Sequence, residues 1–289
     1  MDVKFFDAHT HVNLAAFKDD YRETVNRALA AGAGMVNVGT QKDTSLRAVE
    51  IAREFRDMPV FAAVGLHPIH TGKSFHDTEE LGNGEAAKAF NGRGEIFDYE
   101  YYKKLALDSK VIALGECGLD YFRVENKEAK EKQKTAFLEQ IKLAHEVKKP
   151  LMIHCRAAFP DLIDILSANI NSLNVVPGII HFMSGTKDEA KKLLDLGFYF
   201  TFGGVITFVR DYDEIIKLIP LDRILSETDA PYVAPTPYRG LPGQGKRNEP
   251  AYVIEVVKKL AEIKNMSLDE ISPQILKNTA ICFNLEVNQ

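Results

Sequence analysis

The stretch Val111–Asp120, with the sequence VIALGECGLD, decides the fold and leads to the candidate site. Its first four residues are apolar without alternation, which is typical of a parallel strand that is covered on both faces. Glu116 follows this run, and burying a carboxylate at the end of such a strand is costly unless a cation compensates it. We therefore take Glu116 as the centre of a candidate cation site and ask whether other strands end in similar residues.

The rest of the chain alternates between strand-like and helix-like segments. The predicted strands are 3–6, 35–38, 60–64, 111–114, 151–153, 178–180, 198–202 and 224–225, and the predicted helices are 21–31, 44–55, 100–107, 128–147, 160–168, 187–196, 212–218 and 251–263. Ser267 and Glu270 form a capping-box pattern that predicts one further helix. Eight strand and helix units in 289 residues favour a closed barrel over an open sheet. The predicted fold is a single α/β domain over residues 1–289, a (βα)8 TIM-type barrel with an additional C-terminal helix.

Histidines and an aspartate stand at the ends of several predicted strands. In the first strand, the period of two places Asp7, His9 and His11 on the same side. The C-terminal ends of barrel strands meet at one rim, where active sites lie. The side chains expected to cluster there are His9, His11, Glu116, His154, His181 and Asp229. These six nitrogen and oxygen ligands exceed what one tetrahedral Zn²⁺ with an open position takes, and they suit two divalent ions that share a carboxylate.

Composition argues against several other classes of protein. The formal net charge of −5 gives no overall attraction to nucleic acid, so any phosphate binding must be local. Three cysteines are too few for a disulfide framework and indicate an intracellular location, cytoplasmic with the nucleus as a second option. We expect no secretory signal and no membrane span. The sequence contains neither a phosphate-loop motif nor a nucleophile elbow, and residues 72–94 predict a glycine-rich loop over one end of the barrel.

A set of short motifs, taken in order, resembles the TatD-type metal-dependent deoxyribonucleases, a branch of the amidohydrolase-like barrels. The motifs are HTH at 9–11, GLHP at 65–68, GECGLDY at 115–121, HCR at 154–156, HFMSG at 181–185, SETDAPY at 226–232 and RNEPAYV at 247–253. The resemblance implies that His9, His11, Glu116 and Asp229 hold a first metal ion. It also implies that Glu116 bridges to a second ion held by His154 and His181. Zn²⁺, Mg²⁺ and Mn²⁺ all accept such mixed ligands.

The resemblance further implies a DNA substrate, and the chemistry of phosphodiester hydrolysis suggests a role for each residue. The expected activity is hydrolysis of phosphodiester bonds in single-stranded or end-accessible DNA by a monomer, with 3'-5' exonuclease action as the expected mode. Asp229 is the candidate for orienting the attacking water and accepting its proton, and Glu116 is the second catalytic residue. His67 and Arg156 are candidates for binding the phosphate, since a guanidinium matches phosphate geometry. Arg247 is expected to contact the backbone of the nucleic acid.

Two alternatives stay open from the sequence. A C–N or lactone hydrolase of the amidohydrolase type uses the same ligands, although such barrels often bridge their metals with a modified lysine where this chain has Glu116. The other alternative is a barrel without catalysis that serves as a binding or scaffold protein, which leaves the aligned ligands unexplained. Tyr121 and Phe122, just beyond Glu116, either stack a nucleobase or pack the rim.

Overall fold

The structure is a computed structural model that describes residues 3–72, 75–76, 90–91, 94–122, 124, 126–240 and 247–285. Most of the loop predicted at 72–94 lies outside these residues. Two short strands within it, Phe75–His76 and Phe90–Asn91, pair in antiparallel fashion. None of the helices in the described residues is long and apolar enough to cross a membrane.

Eight parallel strands form one sheet in the described residues, and their order in the sheet follows their order in the chain. The strands are β1 Phe5–Thr10, β2 Ala33–Val38, β3 Val60–Val64, β4 Val111–Asp120, β5 Leu151–Arg156, β6 Gly178–Ile180, β7 Tyr199–Phe202 and β8 Ile224–Ser226. Helices alternate with them and extend beyond β8, so the predicted (βα)8 barrel with an additional C-terminal helix is confirmed.

The helices lie close to their predicted positions. They are α1 Tyr21–Ala30, α2 Lys42–Glu54, α3 Tyr99–Ala106, α4 Lys127–Val147, α5 Phe159–Ala168, α6 Lys187–Asp195, α7 Asp213–Leu218, α8 Val253–Lys264 and α9 Leu268–Phe283. The predicted capping box opens α9, because the Ser267 side chain accepts from the Glu270 N–H while the Glu270 carboxylate accepts from the Ser267 N–H.

Two apolar clusters account for the burial of the strands on both faces. One takes a buried residue from every strand and fills the barrel, with members Phe6, Val36, Ala63, Ile112, Met152, Ile179, Tyr199 and Leu225. Cys282 and Phe283, from the last turn of α9, pack against the same cluster. The larger cluster lies between the strands and the helices and includes Met35, Phe137 and Leu260. Because both faces are covered, the strands read as continuous apolar runs instead of alternating ones.

The barrel closes where the segment after β8 meets β1. The Asp229 N–H donates to the His9 carbonyl over 2.9 Å, and the His11 N–H donates to the Ala230 carbonyl over 2.8 Å. These two backbone hydrogen bonds hold the end of β1 beside the residues that follow β8. Two segments more than 200 residues apart in the chain are thereby joined at the rim.

Strand β4 is longer than predicted, because it continues through Glu116 to Asp120. Two glycines permit this course. A Cβ on Gly115 would lie 2.3 Å from the Met152 carbonyl oxygen, and one on Gly118, whose φ is +130°, would lie 2.1 Å from the His154 carbonyl oxygen. Only glycine allows β4 to approach β5 this closely on both sides of Glu116. The GECG sequence therefore fixes where the Glu116 carboxylate enters the rim.

Candidate metal centre

Glu116 lies in the middle of a cluster of buried and half-buried side chains at the C-terminal rim. The cluster draws on the ends of β1, β3, β4, β5 and β6 and on the segment after β8, and its members are His9, His11, His67, Glu116, His154, His181 and Asp229. Glu116 is 4% exposed. The structure therefore brings together all six of the residues predicted to ligate metal, together with His67.

One oxygen of Glu116 faces the two histidines of β1. Glu116 Oε2 lies 3.5 Å from His9 Nε2 and 3.6 Å from His11 Nε2. Asp229 Oδ1 lies 3.8 Å from His9 Nε2 and 3.4 Å from His11 Nε2. The two imidazole nitrogens are themselves only 3.1 Å apart. We name this group of four residues the first half of the centre.

The other oxygen of Glu116 faces three further imidazoles. Glu116 Oε1 lies 3.1 Å from His154 Nδ1, 3.2 Å from His67 Nε2 and 3.3 Å from His181 Nε2. We name Glu116, His154 and His181 the second half of the centre. A single carboxylate thus presents one oxygen to each half, which is the arrangement of a ligand that bridges two ions.

Hydrogen bonds on the far side of three imidazoles direct their lone pairs into the cluster. His11 Nδ1 donates to the Val38 carbonyl over 2.8 Å, because a carbonyl can only accept. His154 Nε2 bonds the Asp120 carboxylate over 2.8 Å, and His181 Nδ1 bonds Glu227 over 3.2 Å. An imidazole whose outer nitrogen donates to a carbonyl or carboxylate is the usual metal-ligating tautomer. The donor set therefore fits divalent metal ions in both halves.

His67 has the opposite hydrogen-bond arrangement. Its Nδ1 accepts from the Ile69 N–H over 3.2 Å, so in the neutral imidazole the proton is carried by Nε2. Burial lowers the pKa of His67, although the Glu116 carboxylate counteracts this effect. A neutral imidazole with Nε2–H directed into the cluster is a hydrogen-bond donor and not a metal ligand. This arrangement distinguishes His67 from the three histidines with ligating tautomers.

The electrostatics of the cluster are those of a site built for a cation. Burial opposes ionisation of Glu116, yet the imidazoles of His67, His9 and His181 hold the pKa of its carboxyl well below the ordinary value. Burial lowers the pKa of His9 to about 3. Burial also opposes charge on His154, but hydrogen bonds to Asp120 and Glu116 raise its pKa to about 9. A proton on His154 thus balances these carboxylates, and a divalent ion would have to displace it.

The sequence reasoning missed the two carboxylates that orient the histidines of the second half. Asp120 is 7% exposed and Glu227 is fully buried. Burial opposes ionisation of Asp120, but its hydrogen bond to His154 lowers the pKa of its carboxyl to about 2. One signal in the sequence could have found these two acids, namely their position. Asp120 lies four residues after Glu116, Glu227 lies two residues before Asp229, and Glu116 and Asp229 are both predicted ligands at strand ends. Asp7, grouped with His9 by periodicity, instead accepts hydrogen bonds from the N–H and hydroxyl of Thr228.

The two arginines predicted to bind substrate lie in different environments. The Arg156 guanidinium carbon lies 3.6 Å from the centre of the Phe122 ring. The Arg247 guanidinium makes hydrogen bonds to both oxygens of Asp20, to Glu249 and to the Ala16 carbonyl. Four of its hydrogen bonds are thus made within the protein, and they tie the segment after β8 to the segment after β1. The substrate-binding role of each arginine stays a prediction.

Comparisons with known proteins relate the chain to a family of metal-dependent hydrolases. The sequence profile of the family described as TatD related DNase matches residues 6–284. The uncharacterized metal-dependent hydrolase YabD of Bacillus subtilis (strain 168) is 36% identical over 283 residues, which cover 97% of this chain and 99% of that protein. The 3'-5' ssDNA/RNA exonuclease TatD of Klebsiella pneumoniae (strain 342) is 30% identical over 288 residues, covering 98% of this chain and 99% of that protein.

A solved structure extends the agreement to the whole fold. The crystal structure of YjjV, a TatD homolog from Escherichia coli K12, is similar with a TM-score of 0.80 and 27% sequence identity, covering 99% of this chain and 100% of that one. The match spans the whole barrel and α9. The chain therefore belongs to the TatD-related DNase family and is a metal-dependent hydrolase.

Proposed function

We propose that this protein is a divalent-metal-dependent deoxyribonuclease that hydrolyses phosphodiester bonds in single-stranded or end-accessible DNA in the 3'-5' direction. The observation that carries the proposal is the environment of Glu116, whose two oxygens face two separate sets of imidazole nitrogens at 3.1–3.6 Å. The Klebsiella relative is named as a 3'-5' ssDNA/RNA exonuclease, which supports the choice of substrate and direction.

Two ions would share the centre. We assign one ion to His9, His11, Asp229 and Glu116, and the other to Glu116, His154 and His181. Zn²⁺, Mg²⁺ and Mn²⁺ are the candidates. When bound, such ions stabilise the negative charge that develops on the phosphoryl oxygens and lower the pKa of water.

Asp229 is the residue we propose to orient the attacking water and accept its proton. Its side chain is 17% exposed while that of Glu116 is 5% exposed, so among these two carboxylates Asp229 is the more accessible to water from the solvent. Its N–H is fixed by the His9 carbonyl, which holds the carboxylate beside the first half of the centre. A carboxylate with a fixed position and access to solvent suits a general base.

His67 and Arg156 are the residues we propose to bind the substrate phosphate. His67 presents Nε2–H toward Glu116 Oε1, and the same N–H can donate to a phosphate oxygen that enters the centre. Arg156 lies two residues beyond His154 in the same strand and presents a guanidinium at the rim. Together they supply donors on the side of the second half, where ionised carboxylates alone would repel a phosphodiester.

The test is cleavage of end-labelled single-stranded DNA by metal-stripped protein, with Mg²⁺, Mn²⁺ or Zn²⁺ restored one at a time. The proposal predicts no cleavage without metal and stepwise release of mononucleotides from the 3' end when metal is restored. Stepwise release from the 5' end, or internal cuts, would contradict the proposed 3'-5' direction but would still support nuclease activity. If no metal restores cleavage although the protein binds metal, the nuclease proposal is wrong, and C–N and lactone substrates become the next to test.

A further inference from the structure

A cavity of about 230 Å³ lies beside the metal centre, where the segment after β1 meets α1 and α2. Val12, the residue after the ligand His11, forms part of its wall. The other walls include Asn13, Leu14, Phe17, Lys18, Tyr21 and Arg47. Because consecutive Cα atoms are about 3.8 Å apart, the cavity begins within one residue of the first half of the centre.

The charged side chains in these walls are both cations. Lys18 is exposed and makes no ion pair with another described residue. The guanidinium carbon of Arg47 lies 4.5 Å from the centre of the Tyr21 ring, which supports the guanidinium at the cavity. One of its five N–H groups donates to Glu50 over 3.2 Å, so the planar fork keeps further donors for an anion. In a chain of net charge −5, such a local pair of cations is what phosphate binding requires.

Two acidic side chains next to the cavity are compensated by other arginines. Both oxygens of Asp20 accept hydrogen bonds from Arg247, over 2.7 and 2.6 Å. The Glu54 carboxylate pairs with Arg22. These two carboxylates therefore do not cancel the positive charge of the cavity.

One backbone carbonyl links the cavity to the metal centre. The Val38 carbonyl accepts from His11 Nδ1 over 2.8 Å and from Asn13 Nδ2 over 3.0 Å. Asn13 Nδ2 also donates to the Thr44 carbonyl over 2.9 Å, which ties the cavity wall to the first turn of α2. Asn13 Oδ1 is buried and has no hydrogen-bond partner among the described residues. The wall is thus fixed relative to His11 and keeps an acceptor for a donor that a hydrated ligand supplies.

We infer that this cavity binds a phosphodiester group of the substrate strand, at a linkage other than the one that is cleaved. The inference rests on the proposed nuclease function and deepens it, because the metal centre binds only the phosphate that reacts. Lys18 and Arg47 neutralise the second phosphate, and Leu14 contacts the adjoining sugar. The cavity is smaller than the roughly 300 Å³ at which sites for whole small molecules begin, so it suits one phosphate group better than a complete nucleotide. Contacts to phosphate carry no sequence information, so the cavity anchors any strand.

The test is a scan with oligonucleotides that each carry one uncharged methylphosphonate linkage, placed at successive positions inward from the 3'-terminal linkage. The metal-loaded enzyme is assayed by release of the first nucleotide. At one internal position, the uncharged linkage should raise KM about 2- to 30-fold over the unmodified strand, the range for two exposed charge pairs. The kcat should stay unchanged, because this contact is made equally in the bound state and in the transition state.

Removing the cations should remove this sensitivity. Lys18→Gln should lower the ratio of KM for the modified strand to KM for the unmodified strand, and Lys18→Gln combined with Arg47→Gln should bring it to about 1. Lys18→Arg should keep the wild-type ratio, since it retains the charge. Lys191→Gln is the matched control, because it removes the same charge from an exposed lysine that pairs with Asp188 within α6. The control should also keep the wild-type ratio.

Three outcomes would contradict the inference in different ways. If no internal linkage changes KM, or if the double variant keeps the wild-type ratio, the inference is overturned and the nuclease function still stands. If the variants weaken inhibition by inorganic phosphate but leave the scan unchanged, the cavity takes a free anion and its assignment to the strand is wrong. A metal-loaded wild-type enzyme that cleaves no oligonucleotide would instead refute the proposed function on which the inference rests.

Discussion

Replacing Glu116 by glutamine keeps the size of the side chain and removes the one negative charge that both halves of the centre share. The closest imidazole nitrogen, His154 Nδ1, lies 3.1 Å from Glu116 Oε1. At such a distance, an attraction between unit charges amounts to about 5 kcal/mol for an effective dielectric constant of about 20. That energy corresponds to a factor of roughly 10³ to 10⁴ in an equilibrium or a rate. We therefore expect Glu116→Gln to lower kcat by about 10³-fold or more and to reduce the number of bound ions below two.

The assay for Glu116→Gln is metal-dependent release of nucleotides from end-labelled DNA, together with the metal content of the protein after dialysis. The control is Glu262→Gln near the end of α8, whose carboxylate is 62% exposed and lies on the surface. The control should keep wild-type turnover and metal content. A Glu116→Gln variant with near-normal metal-dependent turnover and two bound ions would refute the reasoning from the geometry of this carboxylate.

Four further outcomes follow from the same contacts. Asp229→Asn should lower kcat by about 10²- to 10⁴-fold with folding intact, and unchanged turnover would remove its role as general base. Asp120→Asn should weaken metal binding about 10- to 100-fold, which metal titration would detect. Metal affinity should fall by at least about tenfold per pH unit below pH 9, because metal binding displaces the proton of His154, whose pKa is raised to about 9, and that of His181, whose pKa is also raised. Calorimetry in buffers of different ionisation enthalpy would show no proton release if this were wrong. Arg247→Gln should lower the free energy of unfolding by about 1 kcal/mol through loss of its pairs with Asp20 and Glu249, and a specific loss of DNA affinity would instead support its predicted contact with substrate.

The ligand set could be predicted from sequence because a parallel barrel sends every strand to the same rim. His9, His154 and Asp229 are far apart in the chain, but each follows an apolar run, and this position alone implies that they converge. The tautomers could not be predicted in this way. They depend on which acceptor lies behind each ring, such as the Val38 carbonyl behind His11, and that depends on the register of neighbouring strands.

Asp120 and Arg247 are examples of residues whose contacts could not be predicted from the sequence. Asp120 was missed because β4 runs six residues beyond its predicted end, with a shift in the β4–β5 register between Leu114 and Cys117. Arg247 stands in a basic stretch near the site, but its partner Asp20 lies 227 residues away in the chain, so the ion pair leaves no local pattern. The single-domain organisation over residues 1–289 and the monomeric state stay predictions.

The central claim is that Glu116 bridges two divalent ions, and anomalous diffraction from crystals of the Mn²⁺-loaded protein tests it most directly. The account predicts two anomalous peaks about 3.5 to 4 Å apart, one beside Glu116 Oε2 with His9 and His11 and one beside Oε1 with His154 and His181. A single peak under saturating Mn²⁺, or two peaks of which one does not contact Glu116, would contradict it.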